Sequence, residues 1–357
     1  MTYPDLKPSP FHPLSELPEL ELSSSTYKLI TEARASIAEL NGYCLAIPNP
    51  FLVLSPVILK ESIASSEVEN IQTTLVDALQ NSLYPEAERA LPDREVLRYR
   101  EAILWGHDEI KRGMPLVGRV IRGIQGNLIP GDGAFRTSQN AIWNPKTQEV
   151  LHVPPAPEHL SDFIRDWEEF VNGENQRDPL VNVAIAHHQF ESIHPFSDGN
   201  GRTGRILMVL DLVSRDLLRL PILYLSGYIT QNKAEYYRVL QGVRDDGLWE
   251  EYIQFMMKAF HEQSKKTADT FIRINDLFEQ QKQEFESKLS RIYSRELLEE
   301  LYLSPIVTPV SLSEKRGVHY TTSSKHLKQM EEIGLLTSKK VGKFQFYINH
   351  QLIDILM

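Results

Sequence analysis

Apolar residues recur at helical spacing along most of the chain and predict a largely helical protein. In "TYKLITEARASIAELNGYC" the positions Leu29, Ile30, Ala33, Ile37 and Leu40 share one face. Ser55-Pro56 predicts a helix start, with Pro at the first position. A second helix is expected from about Ser65 to Leu79, and two more within 95–125. Helical patterning returns in "EHLSDFIRDWEEFVNG", "PLVNVAIAHHQFESI" and "GRILMVLDLVSRDLL", the last with Ile206, Val209, Leu210, Val213 and Leu217 as its stripe. Residues 232–303 read as helix almost throughout.

Two stretches break this pattern. Between 126 and 157 the chain is rich in Gly, Pro and Asn. Short segments at Ala141–Trp143 and Val150–Val153 predict a β-hairpin, its turn opened by Asn144-Pro145. From about Ser304 the order becomes short helix, turn, second helix starting near Thr321 or Thr322, then two strands around a Lys-Gly turn. That order is the one of a winged helix-turn-helix. The fold expected is mainly α: a helical bundle with a β-hairpin, plus this C-terminal unit. Its divisions are 1–90, a helical region; 91–260, a core; 261–303, a helical connector; and 304–357.

Composition narrows the chemistry. Cys44 is the only cysteine, so no intrachain disulfide or thiolate metal cluster can form. The opening lacks the charged start and apolar middle of a secretion signal, no apolar run is long enough to span a bilayer, and a cytoplasmic location is expected. A net charge of −10 argues against nucleic acid as the main partner. The C-terminal unit, with seven Lys or Arg against four Asp or Glu over residues 305–357, is the exception.

One stretch concentrates chemistry: "HPFSDGNGRTGR", His194 to Arg205. It joins two apolar helical segments. Gly199 and Gly201 permit a backbone that turns its N–H groups toward a ligand, and a helix N-terminus follows. Arg202 and Arg205 suit phosphate oxygens. Asp198 is a hard oxygen ligand of the kind that holds Mg²⁺ together with phosphate. His194 is a candidate general base. Base, metal ligand and phosphate cradle together describe displacement at phosphorus. His187, His188, Glu191 and His194 also share a helix, but their spacing fits no familiar zinc pattern.

The same twelve residues resemble, position for position, the Fic family signature H-P-F-x-[DE]-G-N-G-R-x-x-R. The resemblance extends coarsely over residues 25–260. It implies transfer of AMP from ATP to a protein Tyr, Thr or Ser hydroxyl, with pyrophosphate released. It implies that His194 deprotonates the hydroxyl, Phe196 anchors the loop and Asp198 holds Mg²⁺. The implied ATP-binding set is His194, Gly199, Asn200, Gly201, Arg202, Thr203, Gly204 and Arg205, with Tyr228 and Asn232 on the adenine and ribose side. "PGDGAFRTSQNAIW", with Phe135 and Arg136, resembles the hairpin flap that aligns a target chain by strand addition.

A second match, "SSEVEN" (Ser65 to Asn70), fits the inhibitory pattern [ST]-x-x-x-E-[GN]. Ser65 and Glu69 lie one helical turn apart. The resemblance implies that Glu69 pairs with Arg205 and blocks the γ-phosphate, so Glu69 also belongs to the ATP site. The implied partners are a target protein and a second copy of the chain. Lys325, Lys328, Lys339, Lys340 and Lys343 allow a DNA contact, which the lack of arginine in the second helix disfavours. The alternatives left open are removal of AMP from a modified protein, transfer of another nucleotide, and a nucleotide-sensing DNA-binding regulator.

Overall fold

The computed structural model describes residues 6–46, 49–143 and 149–357. Two helices open it: α1 (Ser24–Ala46) and α2 (Phe51–Val68). The face expected of α1 is the buried one, with Ile30, Ala33, Ile37 and Leu40 all inside. α2 begins at Phe51, ahead of the expected Ser55-Pro56, and Pro56 sits in its second turn. A missing N–H so near a helix start removes a single backbone bond.

The end of α2 is the main departure from the sequence pattern. A helix running from Ser65 to Leu79 does not form. α2 stops at Val68, Glu69 caps it, and Asn70 turns left-handed with φ 65°. The amide of Ile71 then reaches back to the carbonyl of Ser66 at 3.0 Å. A left-handed residue after the cap is a standard helix stop, and Gly or Asn are the residues that adopt it cheaply. The alternation [GN] in the sequence pattern therefore has a backbone cause. After the stop, the Thr74 hydroxyl caps α3 (Leu75–Asn81) by accepting from the Asp77 amide at 3.1 Å.

α4 (Leu91–Lys111) and α5 (Gly118–Leu128) follow. Strands β1 (Ile142–Trp143) and β2 (Val150–His152) pair antiparallel. The turn expected at Asn144-Pro145 lies outside the described residues. α6 (Leu160–Asn172) leads into the central pair, α7 (Pro179–Ile193) and α8 (Asn200–Ser214). α7 is buried on every side from Leu180 to Ile193, and α8 nearly so. A helix enclosed all round cannot shift without disturbing every neighbour, so the loop between α7 and α8 is held at both ends. That loop carries the twelve-residue stretch.

α9 (Ser226–Gln231), α10 (Lys233–Asp246), α11 (Trp249–Lys288) and α12 (Arg295–Leu303) complete the helical body. α11 packs along α1 and, at 40 residues, is roughly 60 Å long. It runs unbroken through residue 260, where the sequence suggested a boundary. The C-terminal unit holds β3 (Ile306–Val307), α13 (Pro309–Arg316), α14 (Tyr320–Glu332), β4 (Thr337–Val341), β5 (Phe344–Ile348) and α15 (His350–Leu356). Its strands form a sheet in the order β3-β5-β4. α14 starts at Tyr320, and the imidazole of His319 caps it in place of the expected threonine. Buried Gln281 on α11 fixes the unit, bonding Asn349, Gln351 and the Tyr302 hydroxyl. Among the described residues no helix is long and apolar enough to cross a membrane.

The stop at Asn70 makes a prediction. Asn70→Gly should leave stability within a few tenths of a kcal/mol, whereas Asn70→Val should cost about 1–2 kcal/mol because a β-branched residue resists positive φ. Urea unfolding of both variants measures it.

Candidate active site

The loop geometry follows from its own side chains. His194 ends α7 in the left-handed region (φ 48°, ψ 59°), where Gly or Asn would be usual. Arg136 holds that conformation: its amide donates to the Pro195 carbonyl and its Nε to the His194 carbonyl, at 2.9 and 3.0 Å. Its other nitrogens reach Ser138 and Pro155 carbonyls. Arg136 is buried, and burial lowers its pKa to about 10. It is therefore a brace between the flap segment and the loop. Phe196 is fully buried against Phe135, with ring centroids 5.4 Å apart.

Asn200 closes the loop on itself. Its side chain accepts from the Phe196 amide and donates to the Phe196 carbonyl, both at 2.8 Å. Gln125 on α5 donates to the Asp198 carbonyl at 2.9 Å and accepts from the Thr203 hydroxyl at 2.8 Å. Gly199 takes φ 73° as the cap of α8. A Cβ on Gly201 would lie 2.6 Å from a carboxylate oxygen of Glu69. No other residue fits there while Glu69 is in place.

Glu69 is the centre of the electrostatics. One of its oxygens is 3.0 Å from Arg205 and the other 2.8 Å from Arg202 Nε. Both arginine side chains are 3% exposed. The sequence pointed to the Arg205 contact; the Arg202 contact is new. Arg202 has a second acid, Glu95 on α4, at 2.8 Å. Arg205 also donates to the hydroxyl and carbonyl of Ser65, at 2.8 and 2.9 Å. Burial alone would lower the Arg205 pKa, but Glu69 leads the surrounding groups that raise it.

Two buried acids lie behind this array. Glu61, two turns before Glu69 on α2, accepts from the amide and hydroxyl of Ser226 and from the Tyr99 hydroxyl. Burial pushes its pKa up to about 7. Glu61, Ser65 and Glu69 stand at i, i+4 and i+8, so one helix face docks α2 onto the site. Glu191 is likewise pushed by burial to about 7, with Glu69 adding and Arg205 and Arg244 opposing.

His194 lines a cavity of about 1020 Å³ together with Asp198, Gly199, Asn200, Gly201, Arg202 and Arg205. Burial first, then the charges of Arg244, His152 and Arg136, lowers its pKa to about 3. The imidazole is thus held in its neutral form. Asp198 projects outward with its side chain 73% exposed. One of its oxygens accepts from the Gly199 amide at 2.6 Å. An exposed carboxylate of this kind fits a hard cation such as Mg²⁺. No group of three or more candidate ligands occurs among the described residues.

Four expected nucleotide contacts fall elsewhere. The Thr203 hydroxyl is spent on Gln125. Gly204 packs against Phe190 and Glu191, where a Cβ would clash. Tyr228 turns inward against Phe255. Asn232 caps α9 by donating to the Tyr228 carbonyl at 3.0 Å. None of the four lines the cavity; Tyr237, from the same sequence segment, does. The two neighbouring histidines are also engaged, His187 with the Tyr236 hydroxyl and His188 with the Leu240 carbonyl.

Comparison with known proteins bears on the family and the fold. A family model described as "Fic/DOC family" matches residues 108–212, "Fic/DOC family N-terminal" matches 27–108, and "Protein adenylyltransferase SoFic-like, C-terminal domain" matches 277–352. The chain belongs to the Fic/DOC family. It is similar to the protein adenylyltransferase Fic of Aedes aegypti, 30% identical over 159 residues, which is 42% of this chain and 27% of that protein. It is also similar to the protein adenylyltransferase fic-1 of Caenorhabditis elegans, 31% identical over 139 residues, 38% and 24% of the two chains. These matches span about a quarter of those relatives. A crystal structure of a Fic family protein from Desulfovibrio desulfuricans G20 shares the fold, with TM-score 0.62 and 20% identity, over 93% of this chain and 98% of that one.

The lowered His194 pKa has a direct test. With the neutral form favoured, ¹⁵N NMR of labelled histidine in the nucleotide-free protein should show His194 uncharged from pH 8 down to pH 5. A free imidazole would protonate midway, near 6.5.

Proposed function

We propose that the protein is an auto-inhibited protein adenylyltransferase. It transfers AMP from ATP to a Tyr, Thr or Ser hydroxyl of a target protein, and onto itself, and releases pyrophosphate. The observation that carries this reading is the carboxylate of Glu69 lodged between Arg202 and Arg205 beside the glycine loop. Two buried guanidinium groups beside the backbone amides at a helix N-terminus suit a phosphate. The anion there belongs to the chain itself. The relatives named protein adenylyltransferase support the same chemistry.

The amides of Gly199, Asn200 and Gly201 cradle the α- and β-phosphates, with Arg202 beside them. Arg205 takes the γ-phosphate once Glu69 leaves. Asp198 would hold Mg²⁺, which would offset the negative charge of the phosphates. His194 takes the proton from the target hydroxyl. The hydroxyl oxygen then bonds the α-phosphorus as the bond to the bridging oxygen breaks. The arriving triphosphate raises the basicity of His194, because its negative charge offsets Arg244 and Arg136. The flap strand β2 aligns the target chain.

The expected outcome is that Glu69→Gly raises transfer of label from α-³²P-ATP onto protein by about tenfold or more, the change produced by losing about 1.4 kcal/mol of competing contact. His194→Ala in the same background should abolish it. Equal labelling with and without Glu69 overturns auto-inhibition. Labelling that survives loss of His194 overturns its role as base.

A further inference from the structure

A second cavity, of about 330 Å³, lies away from the motif loop. Its walls come from α2, the segment around α9, α11 and the C-terminal helix α15. Three cations line it: Lys60 from α2, and Lys266 and Arg273 from α11. Among the described residues none of the three reaches a carboxylate within 4.0 Å. Lys60 is half-buried, with its ammonium 5.1 Å from the centre of the Tyr224 ring. Burial, then Arg273 and Lys266, lowers the Lys60 pKa. That is the behaviour of like charges facing one space.

Two further observations point to a ligand. Thr267 lines the cavity, is 2% exposed, and its hydroxyl has no hydrogen-bond partner. A buried hydroxyl left unpaired costs about 1–3 kcal/mol, so it is the kind of group a ligand satisfies. Asp269 and Asp354 also line the cavity. Carboxylates do not welcome a bare anion, but they accept hydrogen bonds from hydroxyl groups. Unpaired cations with nearby acceptors select a molecule that is anionic at one end and rich in hydroxyls at the other.

We propose that this cavity binds a small phosphate ester with a hydroxyl-bearing body, of the sugar phosphate class, as a regulatory ligand. Lys60, Lys266 and Arg273 hold the phosphate. Asp269 and Asp354 accept from the hydroxyls. The ligand bridges α2 to α11 and α15 in the packing that seats Glu69. Lys60 precedes Glu69 by nine residues on one continuous helix, roughly 14 Å along the axis. A ligand that contacts both sides of a packed interface favours the packed state. Occupancy therefore holds Glu69 on its arginines; this consequence, unlike the binding itself, rests on the auto-inhibited reading above.

The test titrates ribose 5-phosphate, and separately inorganic phosphate, into the full chain carrying ¹³C-methyl isoleucine and methionine. The Ile355 and Met357 methyls, which line the cavity, should shift saturably with ribose 5-phosphate, and more weakly with inorganic phosphate. Lys266→Met with Arg273→Met, two exposed positions whose change leaves the fold intact, should abolish both responses. Shifts confined to Ile142 in the catalytic cavity, or equal shifts with sodium chloride, overturn the site. In a parallel assay ribose 5-phosphate should lower self-labelling of the wild type severalfold and leave the double variant unchanged. Methyl shifts without any change in labelling retain the binding site and overturn its coupling to Glu69.

Discussion

Two arginines buried side by side must have an anion. Arg202 and Arg205 sit at the start of α8 with almost no access to water, and leaving such charges unpaired costs about 3–5 kcal/mol. Glu69 meets that need from α2, and Glu95 shares the load on Arg202. The carboxylate has no stronger claim than a phosphate would, because both offer two oxygens to a guanidinium fork. Under the proposed function, that pairing is stable and replaceable at once. Everything around it, from the braced loop to the capped end of α2, sets where those two charges stand.

The arrangement divides support from contact. His194 sits in a backbone conformation that its own side chain does not favour, and Arg136 and the enclosed helix α7 maintain it. The side chains of Asn200, Gln125 and Phe196 hold the loop from the protein side. Of the loop itself, the parts that line the cavity include the backbone from Gly199 to Gly201, the exposed Asp198 carboxylate, the His194 imidazole and the two arginines. A loop that binds through its backbone needs this amount of side-chain bracing, since glycine contributes no packing of its own.

Much of this was legible in the sequence. The twelve-residue stretch located the loop, and helical spacing placed α7 at its observed bounds; α8 starts and ends four residues before the expected segment, so Leu217 falls outside it. Ser65 and Glu69 were singled out by the resemblance of "SSEVEN" to the inhibitory pattern, whose spacing puts them one turn apart. Glu61 was missed, although an acid in the apolar run "PVILKESIASS" one further turn back was a usable signal. Glu95 left no signal, because its role depends on how α4 crosses α8. The expected helix from Ser65 to Leu79 failed because apolar spacing continues across the break while Asn70 alone carries the stop. Tyr228 and Asn232 were expected on the adenine and ribose side; α9 turns Tyr228 toward Phe255, while Tyr237, on the following helix α10, lines the cavity.

The unbroken course of α11 has a bearing on how such a chain can change over time. The helix supplies cover for α1 at one end and, through Gln281, the anchor for the last helix at the other. An exchange of C-terminal units at residue 260 would cut a helix in mid-span and strip Phe271, Ile274 and Phe278 of their setting. The two ends of the protein are therefore inherited as one piece. A replacement tail can be recombined in only beyond Lys288, where the helix has already ended.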